Sequence, residues 1–139
     1  MSKTQKIVVI DGQGGRIGSL LVARLKAETN GAEIGAVGTN SIATSSMIKA
    51  GADFGATGEN PVIVHCRDAD IIVGPIGIVV SDSLHGEITP AMAVAVGQSR
   101  AHKILLPINR CNNTVVGARD LPIPELIEAT VKHILSIFG

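Results

Sequence analysis

Tryptophan and tyrosine are absent from this 139-residue chain, and phenylalanine occurs only at Phe54 and Phe138. Proteins that hold single-stranded nucleic acid stack its bases on aromatic rings, and this chain lacks the rings for that task. Cysteine is almost as scarce. Cys66 and Cys111 cannot build a disulfide framework for a domain of this size, nor supply the four ligands of a structural zinc site. They read as reduced thiols in a reducing compartment. Excess charge of either sign is missing too, since 12 basic residues balance 12 acidic ones. No basic face is therefore announced for a nucleic acid or an anionic membrane. Long apolar runs are absent as well. Ile7-Val8-Val9-Ile10 is too short for the hydrophobic part of a secretory leader, and no run reaches the length of a membrane span, so a cytoplasmic location is expected.

What remains is a folded chain. Hydrophobic residues make up 45% of it and charged ones 17%, enough apolar material to bury one core and few enough charges to exclude a disordered tail. With the aromatics missing, the core must come from Ile, Val, Leu and Ala, the usual composition of a sheet covered by helices. No repeat, low-complexity block or linker divides the sequence, so residues 1–139 are read as a single domain.

Residues 6–10 form a β-branched run closed by Asp11-Gly12 and predict a strand buried on both faces. Over 17–27, Ile17, Leu20, Leu21 and Leu25 recur at helical spacing, and Asn30-Gly31 stops that helix before a second strand at 33–37. A strand, glycine-rich turn, helix and strand within about 30 residues is the βαβ unit of a parallel sheet. A helix is expected over 41–52 and turn chemistry over 55–61. Residues 62–65 and 71–73 both read as strands, and the short gap between them requires either an antiparallel pair or an edge position. The stretch 78–84 is ambiguous between strand and short helix. Thr89-Pro90 opens a helix over 91–98, residues 103–106 and 114–116 read as strands around a polar loop at 109–113, and Pro124 opens a last amphipathic helix. The alternation argues for an open, mostly parallel, doubly wound α/β sheet with helices on both faces.

The stretch Asp11-Gly12-Gln13-Gly14-Gly15-Arg16-Ile17-Gly18 carries the most information. It joins a predicted buried strand to a predicted helix, the context in which backbone amides and the helix dipole together hold an anion. The spacing G-x-G-x-x-G is not met, whereas G-x-x-G-x-x-G is met by Gly12, Gly15 and Gly18, and no Lys-Ser/Thr follows to make a P-loop. Gly12, Gln13, Gly14, Gly15, Arg16 and Ile17 are thus candidates for a phosphate-bearing cofactor. The end of the second strand offers Thr39 and Asn40 for a ribose, where a dinucleotide site often has an acid. Asp11 sits beside the expected phosphate and would repel it unless a cation or a ribose hydroxyl intervenes.

With Arg16 included, the turn resembles the Gly-x-x-Gly-Arg-Met-Gly segment of dihydrodipicolinate reductases, which use NADH or NADPH. The resemblance spans about the first 40 residues and implies an NAD(P)-type cofactor site, not that reaction. The whole chain also resembles an uncharacterised bacterial family of short Rossmann-like proteins. The likeness is carried by the glycine turn with Ala36-Val37-Gly38-Thr39-Asn40, Ala56-Thr57-Gly58-Glu59-Asn60, Gly74-Pro75-Ile76-Gly77 and Gly86-Glu87-Ile88-Thr89-Pro90. It implies the fold and no particular activity.

Ligands of open α/β sheets sit at the carboxyl ends of the strands, and three further segments could reach that edge. Gly74, Pro75 and Gly77 follow a strand and permit close backbone approach, or simply make a tight turn. Asn109, Arg110, Cys111 and Asn112 gather a cation, a thiol and amides suited to a substrate carboxylate or phosphate. Cys111 would be a nucleophile only beside a base, for which His65, His85, His102 and His133 are available. His85-Gly86-Glu87 either supplies an acid or base, or is a surface turn before a helix.

A short-chain dehydrogenase needs a catalytic tyrosine, and a two-domain dehydrogenase needs more chain. The reading that survives is a cytosolic binding or sensor domain for a phosphate-bearing nucleotide, foremost NAD(P), in a homo-oligomer. A small homo-oligomeric enzyme using Arg110 and Cys111, and an interaction module with a purely architectural turn, are the alternatives.

Overall fold

The computed structural model describes residues 4–108, 110 and 112–138. Five strands, β1 (Lys6–Asp11), β2 (Glu33–Gly38), β3 (Phe54–Thr57), β4 (Ile71–Pro75) and β5 (His102–Leu106), form one sheet in the order β3-β2-β1-β4-β5. Every pairing is parallel, with Val9 opposite Ala36 on one side and Val73 on the other. Five helices connect and cover them: α1 (Arg16–Glu28), α2 (Ser41–Lys49), α3 (Glu59–Cys66), α4 (Pro90–Gln98) and α5 (Ile123–Ile137).

The β-branched run at the start explains the centre of the sheet. Ile7 and Val9 point into one core with Leu21, Leu25, Met47, Val131 and Ile134 of α1, α2 and α5. Val8 and Ile10 point into a second core with Val62, Met92 and Val96 of α3 and α4. All four strand residues are at most 1% exposed, and burial of each such side chain contributes roughly 1.5–3 kcal/mol. A strand apolar on both faces can only lie between two helical layers, and β1 does. The chain runs from β1 outward to β3, then crosses to the other side of β1 to lay down β4 and β5. Connections thus leave the centre in opposite directions at β1 and β4, the switch point beside which open α/β sheets commonly bind ligands.

Four sequence expectations change. Residues 62–65 belong to helix α3, not to a strand, so the problem of a short connection to β4 disappears. The β-branched residues there favour a strand locally, but Val62 and Cys66, four apart, form one buried face against α4, and that packing decides the conformation. Within 55–61, expected to be turn, residues 54–57 form the edge strand β3. Glycine at 55 masks it in sequence, although its missing side chain is what admits Ile48 and Thr44. Residues 114–116 form no strand, and Val116 is 94% exposed. The ambiguous stretch resolves into a 3-10 turn, Ile76–Val79, followed by irregular chain. Among the described residues, no helix is long and apolar enough to cross a membrane.

Candidate functional site

The turn between β1 and α1 is shaped by the three glycines of the seven-residue spacing, and each has an internal reason. A side chain at Gly12 would collide with the Thr39 hydroxyl and the Glu87 carboxylate. Gly15 has φ +74° and lies 2.8 Å, at the place a Cβ would take, from the backbone of Ala43. It alone suits that left-handed position at no steric cost. Gly18 admits Met47 of α2 and the Asp11 side chain. Gly14, outside that spacing, faces open space and is exposed. The turn therefore has an inner wall closed by the protein and an outer opening at Gly14.

Two carboxylates of the chain engage the amides. Asp11, 5% exposed, accepts from Gly12 N–H at 2.8 Å through Oδ1 and from Gly18 N–H at 2.7 Å through Oδ2. Burial pushes its pKa up, the Gly18 and Gly12 amides oppose this, and the nearby Glu87 charge adds to the rise. Asp11 thus answers part of the α1 dipole from inside, and its ionisation works against the fold as pH rises through its raised folded pKa.

Glu87 is the second. Its Oε1 accepts from the Gln13 amide at 2.8 Å, the Thr39 hydroxyl at 2.5 Å and the Asn40 side-chain amide at 3.1 Å. Burial raises its pKa, but those donors, joined by His85, prevail and hold the carboxyl below its ordinary range. It is an anion at neutral pH. Among the described residues nothing donates to its Oε2.

The positioning of these groups follows from local structure. Asn40 is the N-cap of α2, its Oδ1 accepting from Ala43 N–H at 2.8 Å while its Nδ2 donates to Gln13 O at 2.9 Å. One side chain thereby starts a helix and ties it to the glycine turn. Ser46 adds a bond to Gly14 O at 3.2 Å. Glu87 is presented by the connection 80–89. Leu84 and Ile88, buried in the second core, anchor it on either side. Ser83 Oγ donates to Gly77 O, and backbone bonds from Ile88 to Ser83 and from Asp82 to Ile88 close the loop on itself. Leu84, His85 and Gly86 all have positive φ, a conformation that persists only where surrounding contacts enforce it.

Sequence-predicted residues fall into three groups. Gly12, Gln13, Gly14, Gly15, Arg16, Ile17, Thr39 and Asn40 come together at the carboxyl edge beside β1 and β2, with Arg16 exposed at the first position of α1 and Ile17 buried beneath it. Gly74, Pro75 and Gly77 are buried at the end of β4 and in the turn after it; Gly74 is pressed on the Ile10 carbonyl, and Gly77 anchors the loop that carries Glu87. Arg110 spends its hydrogen bonds within its own loop, on Pro107 O at 3.0 Å and Asp120 at 3.3 Å, with Asn112 near it at φ 64°. Asn109 and Cys111 lie outside the described residues. Of the histidines proposed as bases, His65 stacks on Phe54 at 4.7 Å and meets Lys6 at 3.2 Å, and His102 pairs with His133. Cys66 is inert by environment, since burial pushes its thiol up to about 11.

Sequence reasoning left Glu87 open between an acid or base and a surface turn, and did not count it among the cofactor-binding residues. The available signal was its position just before the Thr89-Pro90 helix start, which puts it at the same sheet edge as the glycine turn. A groove of about 660 Å³ lies at the opposite edge between Thr29, Gly31 and Phe138 and touches none of these groups. The chemistry marks the carboxyl edge, and the volume does not. No group of three or more His, Cys, Asp or Glu converges for a metal among the described residues.

The parallel sheet in this strand order, with a glycine turn after its central strand, defines a Rossmann-like α/β domain. A family model described as "Domain of unknown function (DUF3842)" matches residues 6–139, and the chain belongs to that family. No curated protein matches it. Among solved structures it is similar to a dodecameric FMN-dependent UbiX-like decarboxylase from Escherichia coli O157:H7, at 15% identity and TM-score 0.47, over 98% of this chain and 94% of that one. It is also similar to a suggested epimerase from Bacteroides thetaiotaomicron, at 16% identity and TM-score 0.43, over 96% of this chain and 64% of the other. Neither similarity carries a function across.

Proposed function

We propose that this domain binds a phosphate-bearing nucleotide, foremost an NAD(P)-type dinucleotide, at the outer opening of the glycine turn. The observation that supports the reading is the division of the turn's amides. Those of Gly12, Gln13, Gly15 and Gly18 are engaged within the protein. Those of Gly14 and Arg16 have no partner among the described residues, sit at the N-terminus of α1, and adjoin open space and the exposed Arg16 guanidinium. A phosphate there would receive two N–H groups, the positive end of the helix dipole and a cation. Thr39 and Asn40 lie beside it for the sugar.

A second reading also has an observation in its favour. Asp11 and Glu87 already supply carboxylates to the turn, as a purely architectural element would. Thermal denaturation in 1 mM NADH, NADPH, FMN, ATP or AMP separates the two. A nucleotide site raises Tm with at least one of them, because a ligand well above its Kd stabilises the native state. An unchanged Tm with all five favours the architectural turn.

A further inference from the structure

We infer that Glu87 sets the ligand specificity of this site: it accepts the hydroxyls of an unmodified ribose and rejects a sugar that carries a 2′-phosphate. The inference rests on the nucleotide reading above and goes beyond it by naming the chemistry of the sugar.

A dinucleotide site of this fold commonly has an acid at the end of the second strand, where it receives the ribose hydroxyls. After β2 this chain has Thr39-Asn40 instead, and the sequence alone leaves the sugar without an anionic acceptor. The fold restores one from another element. Glu87, 48 residues from Thr39 in sequence, places its carboxylate on the Thr39 hydroxyl and the Asn40 amide. Its third donor, the Gln13 amide, belongs to the glycine turn itself. The carboxylate therefore stands between the turn and the end of β2.

Its two oxygens are used unequally. Oε1 takes all three donors, which fixes the carboxylate in place and keeps it ionised. Oε2 receives nothing from the described residues and is the free acceptor. A ribose diol has two O–H donors to offer such an oxygen. A 2′-phosphate brings close to two negative charges at neutral pH to a fixed carboxylate, with Asp11 behind it. No Lys or Arg side chain pairs with Glu87 among the described residues, and His85, next but one along the loop, is exposed. The carboxylate is anchored on both sides, because Leu84 and Ile88 bury their side chains in the second core. Preorganisation of that kind belongs to a group that selects.

The test compares ligands that differ only at the 2′ position: NAD+ with NADP+, and AMP with adenosine 2′,5′-bisphosphate, by isothermal titration. The wild-type protein is expected to bind the unphosphorylated member of a pair at least about tenfold more tightly, as a like-charge contact requires. Glu87→Gln, which keeps an acceptor and removes the charge, is expected to bring that ratio to within about threefold of unity. Equal wild-type binding within the pairs, or an unchanged ratio in Glu87→Gln with native circular dichroism, overturns the inference and leaves the nucleotide reading standing. The wild-type comparison decides even if the variant folds poorly. If neither pair binds, the inference falls, and the Tm panel with FMN and ATP then shows whether the nucleotide reading falls with it.

Discussion

Gly14 and Gly15 are neighbours of one type with opposite duties, and substitution separates them. Gly15 is held at positive φ against the Ala43 backbone, so Gly15→Ala is expected to cost about 2 kcal/mol or more in urea denaturation, from the left-handed conformation and the contact together. Gly14 lacks both constraints. Gly14→Val is expected to change stability by no more than about 1 kcal/mol while filling the opening, so any nucleotide that stabilises the wild type should lose most of its effect on Tm. A Gly14→Val protein that binds as well as wild type would contradict the location of the site. Cys66 gives a third outcome at this scale. In a Cys111→Ser background the native protein should resist a thiol reagent at pH 8 and react fully in denaturant, because its thiol is buried and its pKa is raised to about 11.

The connection 80–89 is the element that brings the Glu87 carboxylate to the glycine turn, and the proposed selectivity depends on it. Its anchors are apolar, so Leu84→Ala should cost about 2–5 kcal/mol and also weaken nucleotide binding, although Leu84 carries no group suited to a nucleotide; urea denaturation and titration on the same sample check both. This element also marks what the sequence could and could not tell. The unit from β1 to β2 was legible, because a β-branched run, a glycine turn and an apolar stripe at helical spacing all state local preferences. Thr39 and Asn40 were legible by their place after β2. Glu87 was legible only as one of two open readings, since its contacts with Gln13, Thr39 and Asn40 depend on a loop folding back across dozens of residues. The α3 segment failed for the opposite reason. Its Val62-Ile63-Val64 speaks for a strand, and only contact with α4 makes it a helix.

Across the whole molecule, pH acts through groups far from the glycine turn as well as at it. His65 on α3 packs on Phe54 and faces Lys6; burial first, then the Lys6 charge, lowers its pKa from 6.5, with Asp68 and Glu33 opposing. The unfolded chain therefore takes up that proton more readily. Stability from this group is complete above pH 6.5 and falls as the pH drops through the lowered folded value. His65→Gln should flatten the fall in Tm between pH 7 and 5, and an unchanged slope would show that other groups set it. The proposal for the whole molecule reduces to one statement: a nucleotide binds at the carboxyl edge of the sheet, where the Gly14 and Arg16 amides have no partner among the described residues, and not in the groove at the opposite edge. Titration of 15N-labelled protein with NAD+ and AMP tests this most directly. The account predicts saturable shifts centred on the Gly14 and Arg16 amides with smaller ones at Thr39 and Asn40. Saturable shifts confined to the groove at Thr29, Gly31 and Phe138, or none at millimolar nucleotide, would contradict it.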